Sequence, residues 1–341
     1  MSAAATSAEL KGLILRILEP ERYGEWDALV GSSPHGCIFQ SSWWLEATGS
    51  PFEILVAEDP SGRVVAGIPL PRKTIAGLAL LYTPLLTPFL GPVFDLTTCT
   101  GEIEQLGFMR KVGEALARSI RGYDGLSYWV GPCGPDLQGF LWAGFRAELG
   151  YTFRFDAGTT PESVLQGADP AHVGHIRHAQ SSGGIVERSE DIERFLPLNR
   201  LTFERQEIAC PWTDDLVRSL WQAASSRGAA RLYLGKTAAG EDAAAAVVVN
   251  DRAVSYQLLA GGDPALRATG TGNLVTLQAI SEALSEGRAY DFEGSQLRGV
   301  EWHYRNWGAK PTPVYALQRA GSLLGAMARL WRRRGNYKQR L

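Results

Sequence analysis

Cysteine is scarce in this chain and scattered where it occurs. Four residues among 341, Cys37, Cys99, Cys133 and Cys210, form no CxxC and no paired spacing. That excludes a zinc ribbon, a thioredoxin-type motif and a disulfide framework, and it sets a reduced, cytoplasmic compartment as the expectation. An excess of one charge is also missing. Thirty-four Lys+Arg against 36 Asp+Glu give a formal net charge of -2, so no global basic field draws the chain to nucleic acid. Long apolar runs are absent too. The longest stretch, Ile75 to Phe94, is interrupted by Gly77, Pro84, Pro88, Gly91 and Pro92, which would break a spanning helix. Buried strands with a proline-rich connection fit it better. Near the start, Leu13 to Leu18 is short and split by Arg16, unlike a secretory apolar region.

What is present is a soluble globular balance, 45% hydrophobic and 21% charged. The length exceeds one ordinary core and suits two domains. Helix and strand signals alternate along it. The turn Asp59-Pro60-Ser61-Gly62 predicts a hairpin, and Glu102 to Ile120 predicts a helix with Ile103, Leu106, Val112 and Leu116 as its apolar stripe. Gln138 to Leu149 and Pro161 to Ser181 read as further helices. A three-strand meander follows over Arg231 to Leu259, then a helix over Leu274 to Glu286, a buried strand at Ala289 to Phe292 and a short helix at Val300 to Trp307. The element order is α+β, repeated in two halves, each with a central mixed β-sheet flanked by helices. The polar segment Asp156 to Thr160 places the boundary, giving domains 1–158 and 159–341.

Several residue groups have chemical potential. Arg267, Gly270, Thr271, Gly272 and Asn273 lie between a strand and a helix, where glycines admit a phosphate to free backbone N–H groups. An ordinary flexible loop accounts for the same glycines. Asp291 and Glu293 lie two apart and on a strand would share a face, so their repulsion would raise one toward proton transfer; helix capping and solvation are the plain alternative. Next come Trp302, His303 and Tyr304 in a dense aromatic cluster, with His303 a possible general base. His172, His175 and His178 recur every three residues beside Arg177, but with no HExxH pattern a basic surface for an acidic group fits better than a metal. Gln40 and Trp43 belong to Phe39-Gln-Ser-Ser-Trp-Trp44, a segment that lines either a binding cleft or a core. The C-terminal stretch carries Arg329, Arg332, Arg333, Arg334, Lys338 and Arg340 without an acid. The remaining 28 basic residues face all 36 acidic ones, a body of -8. That tail suits an anionic membrane surface, RNA phosphates or plain solvent.

FQSSWW, HIRHAQSSGGI, LTFERQ and YDFEGSQLRGVEWHYRNWGAKPTPVYAL together resemble the tandem-domain acyltransferases of the GNAT (Gcn5-related N-acetyltransferase) superfamily, in the branch that includes the Fem-type aminoacyltransferases. The resemblance runs from about Ile17 to Leu317, and the DFEGS segment is its most specific part. It implies two acetyltransferase-like domains and transfer of an acyl group from acyl-coenzyme A, or an aminoacyl group from charged tRNA, to an amine. It also implies that Arg267, Gly270 and Gly272, matching Gln/Arg-x-x-Gly-x-Gly/Ala, hold a pyrophosphate, and that SYQLLAGG bonds the pantetheine arm. Tyr256 becomes a proton donor to the departing thiolate, while Arg177 and Arg205 grip an acidic acceptor or phosphate. No metal is implied. The charged heptad arm of the peptidoglycan enzymes is missing, and the acidic body suits tRNA poorly.

Three readings follow. The leading one is an acyl-coenzyme A N-acyltransferase acting on a small-molecule amine. The second is an aminoacyl-tRNA-dependent transferase, and the third is a non-catalytic scaffold with peripheral membrane contact through the basic C-terminus.

Overall fold

The computed structural model describes residues 12–205, 207–294 and 298–322. They pack into two units, one of residues 12–150 with 313–322 and one of residues 151–312. In the first unit β1 (Ile14–Ile17), α1 (Tyr23–Ser32) and α2 (Ser42–Ala47) precede β2 (Ile54–Glu58) and β3 (Val64–Pro69). Strands β2 and β3 form the expected hairpin. Asp59 holds its turn by accepting from the Ser61 and Arg63 N–H groups, and Gly62 takes the left-handed conformation that the turn needs. Then come β4 (Arg72–Ile75), β5 (Leu78–Tyr82), β6 (Val93–Phe94), α3 (Glu102–Ser119), β7 (Gly125–Val130), α4 (Gln138–Trp142) and β8 (Arg146–Phe155). Strands β1, β2, β3 and β6 make one antiparallel sheet, while β5 pairs with β4 and, in parallel, with β7.

Helix α3 corrects part of its expected stripe. Met109, Val112, Ala115 and Leu116 join a core with Phe94, Tyr128 and Phe140. Ile103 is 91% exposed and Leu106 39%. The first turn serves the helix end instead, where Glu104 accepts from the Thr100 N–H and hydroxyl. The helix expected over Gln138 to Leu149 also stops early. Gly144, with φ of 88°, terminates it, and the residues after Phe145 enter β8.

The second unit begins within β8 and continues through α5 (Pro161–Gly167) and α6 (Pro170–Ser181). The single helix expected there is divided. Asp169 caps α6 by accepting from the Ala171 N–H, and Pro170 sits where a missing N–H costs nothing. There follow β9 (Ile185–Ser189), α7 (Phe195–Glu204), α8 (Asp214–Ser225), β10 (Ala230–Lys236), β11 (Asp242–Asn250), β12 (Val254–Gly262), α9 (Thr271–Ser285), β13 (Ala289–Asp291) and α10 (Arg298–Asn306). The sheet order is β8-β13-β12-β11-β10-β9, mixed because β12 and β13 run parallel. On one face Tyr233, Ala244, Ala246, Val248 and Tyr290 meet Leu274, Val275, Ala279, Ile280 and Ala283 of α9. Gly235 is required there, since a Cβ would stand 2.4 Å from Thr271 Cγ2 and 2.5 Å from Val275 Cγ2. Helices α7 and α8 pack on strands of the same sheet. Finally β14 (Lys310–Ala320) carries the chain back to pair antiparallel with β7 in the first unit.

Candidate active site

Two parallel strands pair only briefly. Strand β13 pairs with β12 only from Val254 to Tyr256 and ends at Asp291, while β12 runs on to Gly262 with a bulge at Leu258, opposite Val247 and Val248. Residues 260 and 262 therefore turn their backbone groups away from β11. Helix α7 takes two of them: Asn199 Nδ2 donates to the Ala260 carbonyl at 3.1 Å, and the Gly262 N–H donates to Thr202 Oγ1 at 3.3 Å. Asn199 also accepts from Trp212 Nε1 at 3.2 Å. Asn199 escaped the sequence reading, its only signal being a polar residue within the apolar pattern of α7.

Asp291 and Glu293 stand at the end of β13. Asp291 has no exposed surface. Its Oδ1 accepts from the Thr152 hydroxyl and from the Glu293 N–H (2.7 Å), and Arg154 Nε lies 3.5 Å from its Oδ2. Burial raises its carboxyl to about 6, against the opposing pull of Arg154 and Thr152. Glu293 is not on the strand, so the shared strand face expected for the pair is corrected. Its φ of 62° places it in the turn beyond β13. The two carboxyls are coupled nonetheless. Burial first, and then the Asp291 charge, push Glu293 well above the ordinary carboxylate range, and among the described residues its buried Oε1 meets no hydrogen-bond partner. Gly294 completes the turn, because a Cβ there would meet the Tyr151 carbonyl oxygen at 2.3 Å. Tyr304 of α10 stacks on Phe292 with ring centroids 4.7 Å apart.

His303 faces His172, with Nδ1 3.4 Å from the partner Nε2. Burial chiefly, with His172 and Arg267 nearby, lowers His303 to about 4, so both rings are neutral at physiological pH. Between β12 and α9 the chain makes a 3-10 turn over Pro264–Thr269 and a left-handed Gly270 before α9 begins at Thr271. Arg267 and Gly272 are exposed, Asn273 is half-buried, and Thr271 is buried with its hydroxyl 2.8 Å from that of Thr269.

Residues 174–305 match the family model described as an acetyltransferase (GNAT) domain. This segment is a GNAT acyltransferase domain. Among solved structures, one described as FemX is 16% identical with a TM-score of 0.67, over 93% of this chain and 99% of the other. A tandem GNAT protein from the clavulanic acid biosynthesis pathway is 14% identical with a TM-score of 0.52, over 91% and 99%. L-PGS from Bacillus licheniformis is 12% identical with a TM-score of 0.54, over 92% and 96%. These likenesses establish the fold over about nine-tenths of the chain. No curated protein matches it.

Within the GNAT domain lie Asp291, Glu293, His303, Tyr304, Tyr256, Arg177, Arg205 and the Arg267–Asn273 loop. Tyr256 is in register with Asp291 on the neighbouring strand, and its hydroxyl donates to Asp251 Oδ2 at 3.0 Å. Arg177 and Arg205 are exposed. Gln40 and Trp43 belong to the first unit. Gln40 is buried, with Oε1 accepting from the Cys37 N–H and Nε2 donating to the Gly91 carbonyl. Trp43 is half-buried, and Trp44 is fully in the core. Among the described residues no helix is long and apolar enough to cross a membrane, and no three His, Cys, Asp or Glu side chains group as metal ligands. The basic C-terminal stretch lies outside the described residues, as does Ser295.

The loop glycines differ in what they do. A Cβ on Gly270 would stand 2.2 Å from the His175 carbonyl oxygen, and its φ is 74°. On Gly272 a Cβ would meet only Ala244 Cβ, at 3.8 Å. G270A is therefore expected to cost on the order of 3 kcal/mol with or without ligand. G272A should leave the melting temperature within about two degrees. Thermal melts of the two variants check this, and equal melting of G270A and wild type would refute the packing described.

Proposed function

We propose that the GNAT domain forms an amide by moving an acyl group from an acyl-coenzyme A thioester to a small-molecule amine, with Glu293 as the base. The observation that carries this reading is the buried acid pair at the end of β13, which pairs only briefly with β12. As the amine nitrogen attacks the thioester carbon, its proton passes to Glu293. The tetrahedral oxyanion collapses, the C–S bond breaks, and the thiolate leaves as coenzyme A after gaining a proton. A base works best when its pKa lies near the working pH, and the upward shift of Glu293 moves it that way. Tyr256 is the proposed donor to the thiolate, and His303, a neutral ring facing His172, is the reserve base. Arg267 and the first turn of α9, where Gly272 is exposed, would hold the pyrophosphate, since a guanidinium and the positive end of a helix favour a dianion. Exposed Arg177 and Arg205 would meet an acidic group on the acceptor.

One observation favours an aminoacyl-tRNA donor instead. The outward groups of Ala260 and Gly262 are already bonded to α7, which shortens the strand edge open to a pantetheine arm. Against it stands the acidic body of -8. Thermal shift with coenzyme A, acetyl-coenzyme A and bulk tRNA decides between the two. A ligand at about a hundred times its Kd stabilises by roughly 2.7 kcal/mol, which is several degrees. The expected result is a rise with the two coenzyme A species and none with tRNA. A rise with tRNA alone that fades with added salt would overturn the donor assignment.

A further inference from the structure

Strand β8 brings two side chains to the acid pair from a distant part of the sequence. Arg154 pairs directly with Asp291 across the antiparallel β8–β13 ladder, and Thr152 lies two residues earlier on the same face. Thr152 is 1% exposed and donates its hydroxyl to Asp291 Oδ1, the oxygen that also accepts from the Glu293 N–H. Arg154 lies 3.5 Å from the other oxygen. Two hydrogen-bond donors and a guanidinium therefore converge on one carboxylate with no exposed surface, an arrangement that favours its charged form. Among the described residues Asp291 Oδ2 and Glu293 Oε1 are both buried without a hydrogen bond, but only the Asp291 oxygen has a guanidinium beside it. The clamp is thus one-sided.

We propose that Thr152 and Arg154 are positioning residues that lock Asp291 as the fixed anion of the pair, leaving Glu293 as the carboxyl that exchanges a proton with substrate. This rests on the reading of Glu293 as base and adds the device that separates the roles of the two acids. The other titratable groups around the pair are Asp251 at the β11–β12 turn, Tyr256 on β12, Tyr290 on β13 and Tyr304 on α10. Burial and the nearby acids push Tyr290 and Tyr304 upward, so both stay neutral. Asp251 is a negative charge that opposes the Asp291 anion. Arg154 is the positive charge acting on Asp291.

The test is a carboxyl titration by carbon-13 NMR on the full chain labelled at Asp and Glu, with D291N and E293Q used to assign the two signals. Wild type should show Asp291 ionising before Glu293. In T152V, which keeps the side-chain shape, the Asp291 step should rise by about one pH unit, and in R154M by more. The Glu293 step should stay in place for as long as Asp291 still ionises first, because the Asp291 charge is then already present when Glu293 titrates. T152S should restore the wild-type titration, and R154K should restore part of it. A movement confined to one of two adjacent signals is not the mark of a residue that merely supports the fold. Titrations unmoved in folded T152V would overturn the proposal, as would parallel movement of both. If R154M does not fold, T152V and R154K carry the same decision. The titration needs no donor, so a protein that shows these shifts but no acyl transfer would count against the activity and leave the clamp standing.

Discussion

Replacing Glu293 with glutamine is expected to lower kcat by about 10²- to 10⁴-fold, the usual worth of a positioned proton acceptor. Glutamine keeps the size and removes only the ability to take a proton. Burial disfavours the charged form of Glu293, so E293Q should melt no lower than wild type. D291N is expected to behave differently. Without the Asp291 charge, Glu293 loses one of the two influences that raise it, becomes a weaker base, and ionises at lower pH. The rate should then reach its plateau at lower pH and at a lower height, while some turnover survives. Single-turnover release of coenzyme A thiol, followed across pH, separates the two variants. E293Q turning over within threefold of wild type would remove Glu293 from the mechanism. His303 is the control: H303Q should keep most of its rate, because a ring lowered to about 4 is a weak base.

The parts of this site that depend on neighbours in sequence were legible. Arg267 and Gly270 do lie between a strand and the start of a helix, with Gly272 in that helix's first turn, and Trp302, His303 and Tyr304 do lie on a short helix. A motif read along the chain carries these because strand, turn and helix are local. The acid pair was legible as two residue names but not as a geometry. Alternation along a strand presumes that the strand continues, and the left-handed backbone at Glu293 ends it. Thr152 and Arg154 left no trace, since a hydrogen bond spanning 139 residues has no periodicity. Ile103 shows the same limit from the other side. Helical spacing fixes which residues share a face, but not where along the helix the core begins.

The stability of the protein should respond to pH in opposite senses through Asp291 and His303. Burial raises Asp291 to about 6, so the folded chain binds that proton more tightly than the unfolded chain does. The stabilisation is fully present below the ordinary aspartate value and is lost as pH climbs through 6. His303 is lowered to about 4, so folding favours its neutral ring. That stabilisation is present above the ordinary histidine value and is lost as pH falls toward 4. Between about pH 4.5 and 6.5 each group changes the unfolding free energy by about 2 kcal/mol, with opposite signs. In wild type the two largely cancel, and single substitutions uncover them. Relative to wild type, D291N should gain stability as pH rises through this window, and H303N should gain it as pH falls. Urea unfolding at a series of pH values measures both slopes. Asp59, Glu187 and Glu193, each beside a cation, are lowered, Asp59 to about 2, so their titration lies mostly below the window and does not mimic either slope. If both variants parallel the wild-type curve, Asp291 and His303 are not buried as described. If only H303N departs from it, Arg154 offsets the burial of Asp291 more fully than the 3.5 Å separation implies.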